Sequence, residues 1–347
     1  MTGLWSRITR SNFLIRLRSW EYWPFGVIQF PLFFYYPWLS LKAGSFTFFS
    51  GSNPGIIMGG MFGESKHDVL CKIPHELIPK TFLVCRPVSA EEVGKLIDVQ
   101  GFRYPVIFKP DIGERGYMVK RINGPADVHA YLHKMPFDFI IQELVDLPVE
   151  AGVFYLRYPD EDRGKVISVV LKEMLHVVGD GSSTLQELIL NNDRAKLQWK
   201  KLSETYRDRL SEVLPPGTRL EIVSIGNHCL GTMFINGNHL ISEKMHAAYD
   251  AISKQIDGFY FGRFDLRCNS TDDLVAGNVK ILELNGCGAE PAHIYDPGFS
   301  LLKAVSTLIA HWRAIFDIAQ QNKKRGYKYL PLRDAVRYYQ TFKSKIR

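Results

Sequence analysis

The 347-residue sequence contains five cysteines, and none of them is spaced as a metal-binding or disulfide pair. Cys71, Cys85, Cys229, Cys268 and Cys287 are scattered along the chain, and no two of them form a CxxC motif. Because their number is odd, they cannot all be joined in disulfides within the chain. The pattern is typical of reduced thiols, so we expect a cytoplasmic location.

Acidic residues are scarce at both ends of the chain. Residues 1–20 contain four arginines and no acid, and residues 321–347 contain nine Lys or Arg and one acid. The formal net charge of the whole chain is +7, so its middle part is acidic. This distribution predicts a local anionic partner, such as a membrane surface, and no nucleic acid. Basic tails that only increase solubility are an alternative of equal weight.

Residues 22–41 are uncharged and strongly aromatic, but three prolines interrupt them. About 20 apolar residues can span a bilayer as a helix. Pro24, Pro31 and Pro37 disfavour one regular helix, and no small-residue cleavage site of a secretory signal follows. We therefore expect an aromatic and basic segment, residues 1–65, that contacts the membrane interface peripherally. A buried hairpin or a protein–protein surface is the alternative.

Beyond residue 65 the chain has no internal repeat or low-complexity tract, and short β-rich runs alternate with helical patterns. PVSAEEVGKLID predicts a helix that Ser89 caps, with acids in its first turn. Apolar residues at helical spacing predict a long packing helix over residues 301–321. The mixture predicts an α+β fold rather than a doubly wound parallel sheet.

The first candidate site motif is PVIFKP, which ends a predicted strand with Lys109 and Pro110. A glycine-bearing turn follows, with Gly113, Arg115 and Gly116. A lysine beside such a turn can neutralise phosphate oxygens while backbone N–H groups close over them.

The second motif, FIIQELVDLPVE, predicts two strands joined by a hinge, with Glu143 and Leu144 at the end of the first strand. Glu150 follows seven residues after Glu143. A hinge of this kind can offer backbone groups to an adenine edge and a carboxylate to ribose hydroxyls. Both acids are equally compatible with solvated turns.

The third motif pairs RFD, residues 263–265, with the strand ILELN. Residues i and i+2 of a strand point to the same face, so Glu283 and Asn285 lie side by side. With Asp265 they form an oxygen-rich set that suits Mg²⁺. Arg263 would face the same pocket and stabilise a developing oxyanion. The alternative is a pair of ordinary strands with acids on their solvent face.

The order of these motifs resembles that of the ATP-grasp ligases, D-alanine–D-alanine ligase among them. GDGSSTLQELI and IGNHCLGT are in addition similar to the ATP-grasp module of cyanophycin synthetase. The resemblance covers roughly residues 66–301. It implies an ATP-grasp fold, in which two α+β lobes clasp ATP.

The resemblance also implies a division of the chain. Residues 66–180 would form an N-lobe with the glycine hairpin and the adenine hinge, and residues 181–320 a C-lobe with the metal site. Residues 321–347 would be a basic tail. Residues 1–65 stand where these ligases usually carry a domain that helps to bind the substrate.

Individual residues take roles from the same resemblance. Arg263 would stabilise the tetrahedral intermediate, and Lys172 would contact the γ-phosphate. Mg²⁺, or Mn²⁺, would be held by Asp265, Glu283 and Asn285.

ATP itself would be held by residues of the N-lobe. A further ATP-contacting lysine is expected upstream of IPKT, residues 78–81, and would be either Lys66 or Lys72. The other implied ATP contacts are Lys109, Gly113, Arg115, Gly116, Glu143, Leu144 and Glu150.

These features predict an ATP-dependent ligase that joins a carboxylate to an amine, or to a thiol, through an acyl phosphate. Its substrates would be small molecules such as an amino acid or a peptide. An ATP-grasp kinase and a non-catalytic nucleotide-binding module at a membrane are the alternatives. The sequence does not predict an oligomeric state.

Overall fold

The structure is a computed structural model that describes residues 11–114, 116–223, 226 and 228–345, with the side chains of residues 25 and 229 excepted. Its architecture is α+β, and every strand pairing in its sheets is antiparallel. The predicted α+β class is therefore confirmed.

Four strands near the N-terminal side form the first sheet, in the order β1-β4-β2-β3. Helices cover one face of this sheet and bury an apolar core that includes Phe108, Tyr131 and Phe139. The strands are β1 (Thr81–Val84), β2 (Val106–Pro110), β3 (Lys120–Ile122) and β4 (Phe139–Glu143).

The second sheet has five strands, in the order β11-β10-β5-β6-β9, and a separate pair is formed by β7 and β8. Because β5 and β6 join β9–β11, the second sheet takes strands from both sides of residue 180, where the sequence suggests a boundary between lobes. That boundary stays a prediction. The strands are β5 (Val149–Leu156), β6 (Lys165–Glu173), β7 (His176–Val178), β8 (Arg219–Glu221), β9 (Met233–Asn236), β10 (Phe261–Cys268) and β11 (Lys280–Asn285).

The helices begin in the aromatic N-terminal segment and continue between the strands. The α-helices are α1 (Asn12–Arg18), α2 (Phe25–Ile28), α3 (Leu32–Ala43), α4 (Lys66–Leu70), α5 (Ala90–Val99), α6 (Pro125–Lys134), α7 (Leu185–Asn191), α8 (Asp193–Leu197), α9 (Trp199–Thr205), α10 (Glu243–Lys254), α11 (Thr271–Ala276), α12 (Leu301–Lys324) and α13 (Leu332–Lys345). Short 3-10 turns lie at Trp20–Tyr22, Phe48–Gly51, Ile57–Gly60, His75–Leu77, Arg207–Arg209, His228–Leu230, Asn238–Leu240 and Ala292–Tyr295.

Local sequence explains where several helices begin. Ser89 caps α5 in a capping box with Glu92, so both groups satisfy backbone donors that the helix leaves free. The predicted Ser89 cap is confirmed. Helix α12 covers the predicted long helix and extends it to Lys324. The apolar face of α12 packs on the second sheet, against Phe154 and Phe261.

The aromatic N-terminal segment folds against the second sheet and α12. As predicted from its prolines, it is not one regular helix, although Pro37 lies inside α3. Asn53 fixes the segment to β10, and its side chain is fully buried. The Asn53 amide donates to the carbonyls of Gly59 (2.9 Å) and Phe261 (2.8 Å). Its carbonyl oxygen accepts the N–H groups of Tyr260 and Phe261, both at 2.9 Å.

We predict that Asn53→Ala lowers the free energy of unfolding by at least about 3 kcal/mol, because it removes four hydrogen bonds to backbone groups, and of these groups the Gly59 carbonyl keeps the Cys287 N–H as a donor. Urea denaturation of the variant checks this value. Asn123→Ala, at an exposed position, is the matched control and should change the free energy by less than about 0.5 kcal/mol. Equal effects of the two substitutions would contradict the anchoring role of Asn53.

Candidate active site

A group of charged side chains lies on one face of the second sheet, next to the part of that face against which α12 packs. In the strand register Asp265 of β10 lies opposite Glu283 of β11 and Gly152 of β5. A Cβ at Gly152 would come within 3.2 Å of Arg263 and 3.4 Å of Asp265, so this glycine makes room for both side chains. The opposite face of the sheet is apolar and includes Phe264.

Asp265 is the centre of this group, and its side chain is buried. Arg263 donates to its Oδ2 atom through Nη2 (2.9 Å) and Nε (3.3 Å). The amide of Asn285 donates to the same oxygen at 2.8 Å. Lys172 Nζ lies 3.0 Å from Oδ1 and forms an ion pair with it. One carboxylate therefore holds two cations that come from different strands.

Glu150 joins one further cation, Arg267, to the group and also pairs with Lys172. It lies opposite Arg267 of β10 and Lys172 of β6 in the strand register. Arg267 donates to Oε2 of Glu150 through Nη2 (2.7 Å) and Nε (2.9 Å), and Lys172 lies 3.2 Å from Oε1. Arg267 also donates to the carbonyls of Val145 (3.2 Å) and Leu147 (3.4 Å), so it fixes the segment between β4 and β5.

Two lysines from the N-terminal side complete the group. Lys66, the first residue of α4, lies 3.4 Å from Oε1 of Glu283 and donates to the carbonyl of Gly113. Lys109 of β2 is buried, and it donates to the carbonyl of Leu282 at 3.0 Å. We call Lys66, Lys109, Glu150, Lys172, Arg263, Asp265, Arg267 and Glu283 the charge cluster. It holds five cations and three carboxylates, so its formal net charge is +2.

The environment shifts the pKa values of these groups in directions that favour charge at Asp265. Burial raises the pKa of the Asp265 carboxyl, but Arg263 and Lys172 outweigh burial and bring that pKa to about 2. Burial lowers the pKa of Lys172, but Asp265 and Glu150 outweigh it and the net pKa is raised. Lys109 differs, because burial dominates and lowers its pKa to about 8.

Glu64 lies beside the charge cluster and is missing from the sequence prediction. Its Oε2 atom is buried and has no hydrogen-bond partner within the described part of the chain. Burial raises the pKa of this carboxyl, and the negative charge of Glu283 adds to that effect, whereas Lys66 lowers it. The site therefore contains an acceptor oxygen that a further cation would satisfy.

Of the predicted site residues, the structure brings Lys66, Lys109, Glu150, Lys172, Arg263, Asp265, Glu283 and Asn285 together. Lys72 is exposed, and Glu143 is also exposed, with its N–H donating to the carbonyl of Lys80 at 2.9 Å. Leu144 is half-buried just after β4, and Gly116 has a positive φ of 72°. Arg115 lies outside the described residues.

Sequence reasoning missed three residues that hold the site together. Arg267 is two residues beyond Asp265, so the alternation of a strand places it on the same face and could have identified it. Glu290 follows β11, and its carbonyl accepts from Arg263 at 3.1 Å. Its carboxylate accepts from Gln29 of the N-terminal segment and from Tyr295 (2.5 Å). No local pattern connects Gln29 with residues so far along the chain.

The donor set suits a hard divalent cation in its chemistry. Two carboxylates and one amide lie on adjacent strands, at Asp265, Glu283 and Asn285, and Glu64 supplies the unsatisfied oxygen nearby. Within the residues that the structure covers, there is no group of three or more His, Cys, Asp or Glu placed to hold a metal by themselves. Bound phosphate oxygens and water would have to complete such a coordination shell.

We predict that Lys109→Met stabilises the protein most at neutral pH. The pKa of Lys109 falls from 10.5 to about 8 on folding. Below pH 8 the buried side chain is charged, so the whole destabilising effect of burying that charge is present. Above pH 8 the folded protein releases that proton while the unfolded chain keeps it, so wild-type stability rises with pH. The advantage of the variant over wild type should narrow by about 2 kcal/mol between pH 7 and pH 9.5.

Urea unfolding of both proteins at the two pH values measures this narrowing. Lys72→Met is the control, because Lys72 is exposed, and its difference from wild type should not change with pH. A constant advantage of Lys109→Met across this range would show that the Lys109 ammonium is not desolvated.

Comparison with known proteins gives matches in structure alone. No protein-family profile and no curated protein match the sequence. The D-alanine–D-alanine ligase from Bacillus anthracis is 14% identical, over 78% of this chain and 70% of its own, with a TM-score of 0.40. VanG D-Ala:D-Ser ligase from Enterococcus faecalis is 14% identical, over 74% of this chain and 62% of its own, with a TM-score of 0.41.

A bifunctional glutathione synthetase from Pasteurella multocida is 14% identical over 70% of this chain, with a TM-score of 0.38. The chain spans only 35% of that synthetase. These TM-scores and identities are too low for the matches to assign a family, or the role of any residue, to this chain.

Proposed function

We propose that the charge cluster binds Mg-ATP and that the protein activates a small-molecule carboxylate as an acyl phosphate, which an amine then attacks. The observation that carries this proposal is the net charge of +2 on the charge cluster, in which the side chains of Lys109, Lys172 and Asp265 are buried. Buried cations in excess are costly unless an anion is bound. A polyphosphate with its metal ion supplies such an anion.

The lysines would bind and orient the phosphates. Lys109 and Lys172 come from two different sheets and both are buried, so they would hold a phosphate chain from two sides. Lys66 is fixed to Gly113 at the start of the glycine turn, which supports its role over that of the exposed Lys72. A lysine ammonium neutralises the charge that spreads over the transferred phosphoryl oxygens.

Asp265, Glu283 and Asn285 would hold Mg²⁺ or Mn²⁺ together with phosphate oxygens. When bound, the ion supplies further neutralisation of charge on the phosphates. For that, Asp265 must share its carboxylate with Arg263 and Lys172, whose charges keep it ionised. The raised pKa of Glu64 and its unsatisfied oxygen support the binding of an additional cation beside Glu283.

Arg263 would act after phosphoryl transfer. Asp265 holds its guanidinium through two nitrogen atoms, and the carbonyl of Glu290 accepts from the third. The planar group is therefore fixed before any substrate binds, which is the condition for stabilising an oxyanion without reorganisation. No covalent nucleophile is needed, because positioning and fixed charge supply the catalysis.

Trapping with hydroxylamine tests this function and separates it from its alternatives. We expect ATP-dependent hydroxamate when the protein is incubated with Mg-ATP, hydroxylamine and a panel of amino acids and short peptides. ADP formation without hydroxamate would indicate a kinase. Neither product, with nucleotide bound, would indicate a non-catalytic module and contradict the proposal.

With an active carboxylate in hand, we predict that Arg263→Lys lowers the rate of hydroxamate formation about 100-fold, because the planar two-point contact is lost. The thermal midpoint of the variant shows whether it is folded. Arg209→Lys, at an exposed surface pair with Glu212, is the matched control and should keep the wild-type rate. An unchanged rate in Arg263→Lys would remove Arg263 from the mechanism.

A further inference from the structure

Helix α3 is apolar on both of its faces. Leu32, Leu39 and Ala43 are buried against α12 and its surroundings. The opposite face is as apolar as the buried one, yet it faces solvent in the described structure. A helix that is apolar all round is normally covered on all sides.

The exposed residues form one continuous stripe. Phe30, in the turn before α3, contacts Phe34 edge to face at 5.4 Å between ring centroids. At 3.6 residues per turn, positions 30, 34, 38 and 41 follow one another along the helix, and positions 33 and 37 lie beside them. We call these residues the aromatic face: Phe30, Phe33, Phe34, Pro37, Trp38 and Leu41. Its most exposed side chains are Leu41 (78%), Phe34 (68%) and Phe33 (61%).

The N-terminal segment exposes four more large apolar side chains, at positions before and after the aromatic face in the sequence. They are Phe13 (72%), Leu17 (54%), Val27 (51%) and Phe46 (58%). An exposed apolar surface of this extent is unusual for a chain that has no partner.

The exposed charges of the segment are all of one sign. Arg16, Arg18 and Lys42 are exposed, and Lys42 lies over the Trp38 ring at 3.8 Å. The only acid in residues 11–46 is Glu21, which is buried. Glu21 is also neutralised within the fold, because Arg194 lies 2.9 Å from its carboxylate and His228 3.0 Å. The exposed charges that this segment supplies therefore suit an anionic partner, and Lys42 lies directly beside the aromatic face.

The dimensions of α3 exclude a transmembrane arrangement for this helix. Its 12 residues span about 18 Å, whereas the bilayer core is about 30 Å thick. Among the helices in the described residues, none is both long and apolar enough to cross a bilayer. Phenylalanine, tryptophan and leucine are the residues that helices in the membrane interface bury at the headgroup boundary, and Lys42 adds a basic residue beside Trp38.

We propose that the aromatic face docks on an anionic lipid surface, with α3 lying in the plane of the interface. Arg16, Arg18 and Lys42 attract the lipid headgroups, and the aromatic side chains enter the boundary of the acyl chains. The face starts immediately after Gln29, whose side chain contacts Glu290 beside Arg263. Hydrogen bonds from Gln29 to Glu290 and from Arg263 to Glu290 therefore link the start of the aromatic face to the charge cluster.

Vesicle co-sedimentation tests this proposal with the full chain. We expect binding to vesicles of phosphatidylcholine with 30 mol% phosphatidylserine, and much weaker binding to phosphatidylcholine alone. The double variant Phe34→Ser/Leu41→Ser should reduce binding at least tenfold. Val99→Ser is the matched control, because Val99 is 81% exposed on α5, and it should bind as wild type does.

A second variant tests the charges separately. Arg16→Glu/Lys42→Glu should reduce binding to anionic vesicles, and raised salt should reduce wild-type binding in the same way. Thermal midpoints close to that of wild type show that the variants are folded.

Several outcomes would overturn the proposal. One is a failure of wild type to bind anionic vesicles, and another is equal binding by Phe34→Ser/Leu41→Ser. Self-association of wild type that this variant abolishes, without vesicle binding, would show that a second copy of the chain covers the face instead.

Discussion

The sharing of one buried carboxylate by two cations is the interaction on which the site depends. Asp265 accepts from Arg263 and pairs with Lys172, and these contacts keep it ionised although it is buried. The sheet makes the arrangement possible in two ways. Gly152 leaves space opposite Asp265, and Glu150 forms a second ion pair with Lys172. Removing the carboxylate would leave Arg263 without its ion-pair partner and Lys172 paired with Glu150 alone. Breaking a buried ion pair by removing one partner destabilises a protein by about 3–5 kcal/mol.

Some residues of this arrangement reduce the stability of the fold and would serve ligand binding instead. A buried lysine such as Lys109, whose pKa falls to about 8, destabilises the fold at neutral pH, and an apolar side chain would fill its place at lower cost. Glu64, with an unsatisfied oxygen, is a second such position in the described structure. Strained or destabilising groups that gather in one place are typical of a binding site, since a ligand restores the missing interactions. Both residues lie next to Glu283, where we place the ligand.

Strand alternation predicted the part of the site that lies on β10 and β11, and the resemblance of the motifs supplied its lysines and Glu150. The pairing of these groups required contacts between distant parts of the chain. Arg263 and Asp265 lie two residues apart in a strand, so the sequence alone places them on one face. The pairing of Glu150 with Lys172 depends on the register of the β5–β6 hairpin, which no local pattern determines. The choice of Lys66 over Lys72 likewise needed the docking of α4 against Glu283. The α+β class was predictable, but the attachment of the N-terminal segment was not, because it depends on buried polar contacts.

Equilibrium binding of a non-hydrolysable ATP analogue with Mg²⁺, measured by calorimetry, tests the central claim most directly. We predict saturable binding by wild type and a loss of at least tenfold in affinity for Glu283→Gln, which removes one oxygen ligand and one charge. Glu204→Gln, at an exposed position, is the control and should bind as wild type does. Binding of the analogue by wild type and Glu283→Gln with equal affinity, or no binding by folded wild type, would contradict the assignment of the charge cluster as a nucleotide site.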